Sequence, residues 1–153
     1  MNIIPESEAR ALLADPTTCE MDGDWTPEKV QPGTFTISSG VVDQQGVGTR
    51  MMVKLYFRRG HKTGIVNYVF SVFKRTPHGL DRIYQLDVRQ SKKPIKNLHD
   101  RSHEHIGSLR LAGHHEWEAW EFKDVLNYFC VSTNIRMCPC PVHPEHFELR
   151  SQP

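Results

Sequence analysis

His99, Asp100, Arg101, His103, Glu104 and His105 fall within seven residues, so three of the chain's nine histidines share one short window with an arginine and two acids. Imidazole titrates close to neutrality and is the commonest metal ligand among side chains. If residues 98–106 run extended, His99, Arg101, His103 and His105 have the same parity and project from one face, roughly 7 Å apart at alternate positions. One strand then presents three imidazoles and a guanidinium together. That set suits phosphodiester cleavage. One histidine takes a proton from a ribose 2′-OH, a second protonates the leaving oxygen, and arginine or lysine stabilises the charged transition state. The reaction needs no cofactor. Asp87 and Arg89, two and four residues after Gln85 on a preceding strand, are placed to orient an imidazole or hold a phosphate.

The same window offers a second chemistry. Imidazoles at i and i+2 on a strand can ligate one ion, with His99 or a distant acid completing a metal-dependent site. The basic surroundings disfavour a cation, so the metal-free reading ranks first. A third possibility is that the histidines are exposed polar residues with His105 packing beside Ile106. Cys138, Cys140 and His143 form a C-x-C-x2-H pattern that could be part of a zinc knuckle with Cys130 or His146. Common structural zinc sites use C-x2-C, which is absent, so packing cysteines are the better reading.

A net charge of +1 conceals a marked segregation. Residues 50–101 hold 13 Lys/Arg against 3 Asp/Glu, which leaves 6 against 15 in the rest of the chain. A basic surface for a polyanion is expected, flanked by acidic segments. Arg58, Arg59, Lys62, Arg89, Lys92, Lys93 and Lys96 are the candidate nucleic-acid contacts, with Tyr56 and Tyr68 interleaved for stacking on bases. At 153 residues the chain is one domain's worth, and its 38 % hydrophobic content is that of an ordinary globular protein. No apolar run is long enough to cross a bilayer. Residues 1–15 lack an apolar stretch followed by a cleavage site, so the expected location is the cytoplasm and disulfides are not expected.

The elements that must position these residues follow from periodicity. Residues 5–14 read as a short helix, opened by proline and early glutamates, with Ala9, Leu12 and Leu13 inward. Residues 17–33 read as a loop. Period two then begins. Strands are expected over residues 34–42, over 49–59 with Met51, Val53, Leu55 and Phe57 on one side, over 65–74 as a central strand apolar on both faces, and over 80–90 with Tyr84, Leu86 and Val88 inward and Gln85, Asp87 and Arg89 outward. Residues 103–111 read as one further strand. Residues 116–131 form the main helix, with Phe122, Val125, Leu126, Phe129 and Cys130 at helical spacing. Residues 134–144 read as a proline-rich loop and residues 146–150 as a last edge strand. The expected architecture is α+β, a single domain over residues 1–153: one antiparallel meander of about four to six strands, one main helix packed on it and a short N-terminal helix.

The run YQLDVRQSKKPIKNLHDRSHEHIG (residues 84–107), followed by WEFKDVLNYFCVSTNI (residues 120–135), resembles an uncharacterised family of small bacterial and phage proteins. Its members carry an R-L-D strand, a loop bearing proline and histidine, an H-x-H motif and a closing helix. The opening PESEARALLAD is similar to that family's start. A weaker likeness extends to the TumE-type toxins of toxin–antitoxin pairs. The resemblance covers residues 80–135 well and the first half in outline; CPCPVHPEHFELR has no counterpart in it. It carries over Asp87, His103 and His105, with Leu86 and Phe129 as scaffold. It implies a small bacterial or phage-borne, toxin-like protein; the expected partners are RNA or a nucleoprotein complex and an antitoxin or another protein. Together these readings favour a metal-independent endoribonuclease with His99, His103, His105, Asp87 and Arg101 in its site. The competing reading is a non-catalytic binding protein, such as a phage-encoded inhibitor or a toxin–antitoxin accessory.

Overall fold

A computed structural model of the chain describes residues 2–91 and 101–146. Six strands, four long and two of four residues, form the body of the sheet, and they follow one another in space as in sequence: β4 (Thr34–Val42), β5 (Gly48–Arg59), β6 (Val66–Thr76), β7 (Gly79–Arg89), β8 (His103–Ile106) and β9 (Leu109–Ala112). Alternation makes β5 half-buried, with Met51, Val53, Leu55 and Phe57 inside. β6 lies at the centre and buries Phe70, Ser71, Val72 and Phe73 consecutively, as its two-sided apolar pattern requires. Short local turns join β4 to β5, β5 to β6, β6 to β7 and β8 to β9. Asp43 Oδ1 accepts from the backbone N–H groups of Gln45 and Val47 at 2.9 Å each, closing the β4–β5 turn.

The sheet is larger than the expected meander of four to six strands. Among the described residues it has ten strands, because four short ones join the six. β2 (Thr17–Cys19) and β10 (Ile135–Met137) extend one edge, β10 parallel to β2. β1 (Asn2–Ile3) runs parallel to β7, and β3 (Thr26–Pro27) pairs with β4. Strands of two or three residues are too short to show a period, so these segments read as loop. Residues 103–111 are also not one strand. Gly107, with φ of +55°, reverses the chain and makes the β8–β9 hairpin.

Two helices cover one face: α1 (Glu6–Leu12) and α2 (Phe122–Thr133). The expected helix over 116–131 is divided. His115–Ala119 forms a 3-10 turn, Trp120 is extended, and α2 starts afresh at Phe122. Two local forces explain the break. Asp124 Oδ2 accepts from the Glu121 N–H at 3.0 Å, which starts a helix at that point. Trp117 is buried and stacks on Trp120 with ring centroids 5.0 Å apart. Phe122, Val125, Leu126 and Phe129 of α2 then pack onto the sheet, with Phe129 5.8 Å from both Phe70 and Tyr84. His146 stands in a helical turn at residues 144–146, not in an edge strand; residues 147–150 lie outside the described residues. No helix among the described residues is long and apolar enough to cross a membrane.

Candidate active site on the open face of the sheet

The helices lie on one face, and the polar sides of β5 to β9 make the other. Register assigns its rows. Tyr56, Val69, Asp87, His103 and Ala112 are successive cross-strand partners, and so are Lys54, Ser71, Gln85, His105 and Arg110. A third row holds Arg58, Asn67 and Arg89. The Asp87 strand therefore delivers its carboxylate beside His103, and the two histidines beside each other, with ring centroids 4.9 Å apart and planes at 89°.

Each imidazole is held differently. His103 Nδ1 donates to the Arg101 carbonyl at 2.9 Å, and since a carbonyl oxygen only accepts, this leaves Nε2 as the working nitrogen. His105 is pushed down to about 4, first by burial, then by the charges of Arg82, His103 and Arg110. Its ring is neutral at physiological pH. Burial raises the Asp87 carboxyl, and His103, Arg89 and Arg110 pull it back.

Between the two histidines, Glu104 points the other way and is buried. It accepts from the Tyr84 hydroxyl at 3.3 Å and is hydrogen-bonded to Tyr128, whose phenol is pushed up to about 12, chiefly by burial. A carboxylate anchored in the core thus fixes the strand that carries both imidazoles outward. Ser102 Oγ accepts from the Arg89 N–H at 3.0 Å and ties the start of β8 to β7.

The expected residues divide into four groups. Asp87, His103, His105, Arg89 and Arg58 share the open face. Arg101 precedes β8 in a bend and contributes its carbonyl to His103. His99, Lys92, Lys93 and Lys96 lie outside the described residues. Arg59 faces elsewhere. Its guanidinium grips Glu145 through two hydrogen bonds of 2.7 and 2.8 Å and donates to the Gly64 carbonyl. Lys62 is exposed in the β5–β6 turn. The C-x-C-x2-H residues are dispersed: Cys138 and Cys140 are exposed, and His143 packs edge-on against Phe57 and Phe122. Among the described residues no group of three His, Cys, Asp or Glu is placed to hold a metal ion.

Sequence reasoning missed Arg82 and Arg110, and the cause is the same for both. Strict alternation sends Arg82 inward with Tyr84, but a bulge at Ile83 shifts the register and sends it to the open side opposite Phe73. Arg110 has the wrong parity for an unbroken strand over 103–111; the turn at Gly107 sets it across from His105. Arg82 is half-buried, and its Nε has no hydrogen-bond partner. Its Nη1 donates to Gln85 Oε1 at 3.4 Å, and Gln85 in turn donates to Ser71 at 3.0 Å. Among the described residues, no carboxylate forms an ion pair with Lys54, Arg58, Arg82, Arg89 or Arg110.

No protein-family model, curated protein or solved structure matches the chain.

Proposed function

We propose that the open face is the active site of a toxin-like, metal-independent endoribonuclease. The observation that carries this reading is the pair of touching imidazoles, one kept neutral, on a face where, among the described residues, cations outnumber the single carboxylate. His105 accepts the proton of a ribose 2′-OH. The 2′-oxygen attacks phosphorus, the P–O5′ bond breaks, and the O5′ oxygen takes its proton from His103. The products are a 2′,3′-cyclic phosphate and a 5′-hydroxyl. Arg82 and Arg110 flank His105 and stabilise the charge that gathers on the phosphoryl oxygens. Asp87 orients His103 across the β7–β8 pair. The biological setting, in which a partner protein covers this face, is taken from the weaker likeness to TumE-type toxins.

The direct test compares cellular RNA after expression of the wild-type protein and of a His103→Ala/His105→Ala double variant. Wild type degrades RNA. The double variant loses about 10²–10⁴-fold or more in cleavage rate, the usual contribution of one acid or base. Equal RNA integrity in the two would remove the enzyme reading and leave a binding protein.

A further inference from the structure

At the end of the open face near the β5–β6 turn, Tyr56, Arg58, Asn67 and Arg89 wall a cavity of about 280 Å³ together with Thr63. Arg58 and Arg89 are the cross-strand neighbours of Asn67 on its two sides, so the amide sits between two guanidiniums. Arg58 and Arg89 are exposed, and the Asn67 amide between them is the feature that folding leaves unexplained. Neither guanidinium is paired with a carboxylate among the described residues. The Asn67 Oδ1 atom is buried and has no hydrogen-bond donor. Buried polar atoms are almost always partnered, and one that is not calls for an explanation. The cavity is also larger than a bare phosphate needs. Its volume is that of about nine liquid waters, near the lower limit of small-molecule sites.

We propose that this cavity is a nucleotide subsite. Arg58 and Arg89 hold one phosphate group, the Tyr56 ring lies against the base, and the Asn67 amide turns toward the cavity so that Oδ1 accepts a hydrogen bond from a hydroxyl or amino group of the nucleoside. The proposal rests on the ribonuclease reading only for its place in the strand. Arg89 lies two residues along β7 from Asp87, roughly 7 Å. A nucleotide held here is the immediate neighbour of the phosphate at the histidine pair.

The test is calorimetric binding of adenosine monophosphate and of inorganic phosphate to the wild-type protein and to Asn67→Leu, Arg58→Gln and Tyr56→Ala. Wild type binds the nucleotide roughly tenfold or more tightly than phosphate, the worth of one stacked base. Asn67→Leu weakens nucleotide binding roughly five- to tenfold and leaves phosphate binding unchanged, as loss of one hydrogen bond predicts. Arg58→Gln weakens both. Tyr56→Ala carries the same expectation as Asn67→Leu and decides the matter if the latter does not fold. Equal affinity for the two ligands, or nucleotide binding unmoved by every variant, overturns the subsite. Because the mononucleotide has no internucleotide bond, the two readings separate. Nucleotide binding without RNA cleavage spares the subsite and sinks the ribonuclease; RNA cleavage without nucleotide binding does the reverse.

Discussion

Burial does more to His105 than any neighbouring charge, and the consequence is measurable in two ways. The first is stability. Unfolded, the ring titrates near its ordinary 6.5; folded, it titrates at about 4. As pH falls through that interval the unfolded chain takes up a proton that the folded chain refuses. The contribution of His105 to stability is therefore whole above pH 6.5 and lost progressively as pH falls toward 4. A His105→Gln variant lacks this component. Thermal melts of the two proteins should converge at pH 7.5 and separate in favour of the variant as pH falls to 4.5; parallel curves would contradict the assignment. The second is catalysis. A phosphate bound between Arg82 and Arg110 offsets two of the charges that depress His105. In the proposed mechanism the acid limb of kcat then lies at higher pH than the acid limb of kcat/KM, since the first reports the bound enzyme and the second the free one. Coincident limbs would assign the base elsewhere.

The β8–β9 hairpin is the element on which the site depends, and its geometry is set by few atoms. A Cβ on Gly107 would lie 2.6 Å from the Ile4 carbonyl oxygen and 2.7 Å from that of Pro5, at a positive φ that side chains disfavour. Gly107→Ala should cost at least about 1–2 kcal/mol from the left-handed backbone alone. The urea midpoint of unfolding measures it, and a midpoint equal to wild type would show that the N-terminal segment does not clamp this turn. The hairpin also marks the limit of what periodicity reveals. The faces of β5 and β7 were legible because Met51 to Phe57 and Tyr84 to Val88 alternate without interruption. The outward placement of Asp87 was legible for that reason, whereas His103 and His105 stood out as an H-x-H pair in a window dense in histidine. Arg82 and Arg110 were hidden by a bulge and a turn, each of which inverts parity, and neither Ile83 nor Gly107 announces itself by type alone. The short strands β2 and β10 owe their place to neighbours far away in sequence, such as Ile135 beside Thr17.

Across the whole molecule, the helices and a group of five cations occupy opposite sides of one sheet. The apolar side is an aromatic core centred on Phe129, which is fully buried and meets Phe70 and Tyr84. Phe129→Ala should destabilise the protein by about 3–5 kcal/mol in chemical denaturation, the cost typical of truncating a buried aromatic ring. The open side gathers Lys54, Arg58, Arg82, Arg89 and Arg110, all from the segment where positive charge is concentrated or just beyond it, whereas Arg59 from the same segment is spent on Glu145. Single-stranded RNA that neutralises four of these cations should bind with a log–log salt slope of about −3, and Arg58→Gln should lower its magnitude by about 0.7. A slope near zero would show that the unpaired charges do not meet phosphate.

Proton transfer by His103 and His105 at a ribose phosphodiester is the central step proposed for this protein. The most direct measurement uses an oligodeoxynucleotide with a single ribonucleotide, incubated with purified protein in excess chelator and resolved by mass spectrometry. Wild type should cut once, 3′ of the ribonucleotide, and leave a 2′,3′-cyclic phosphate that the His103→Ala/His105→Ala variant does not produce. Cleavage that persists with a 2′-O-methyl group at that position, or that is equal in the double variant, contradicts it.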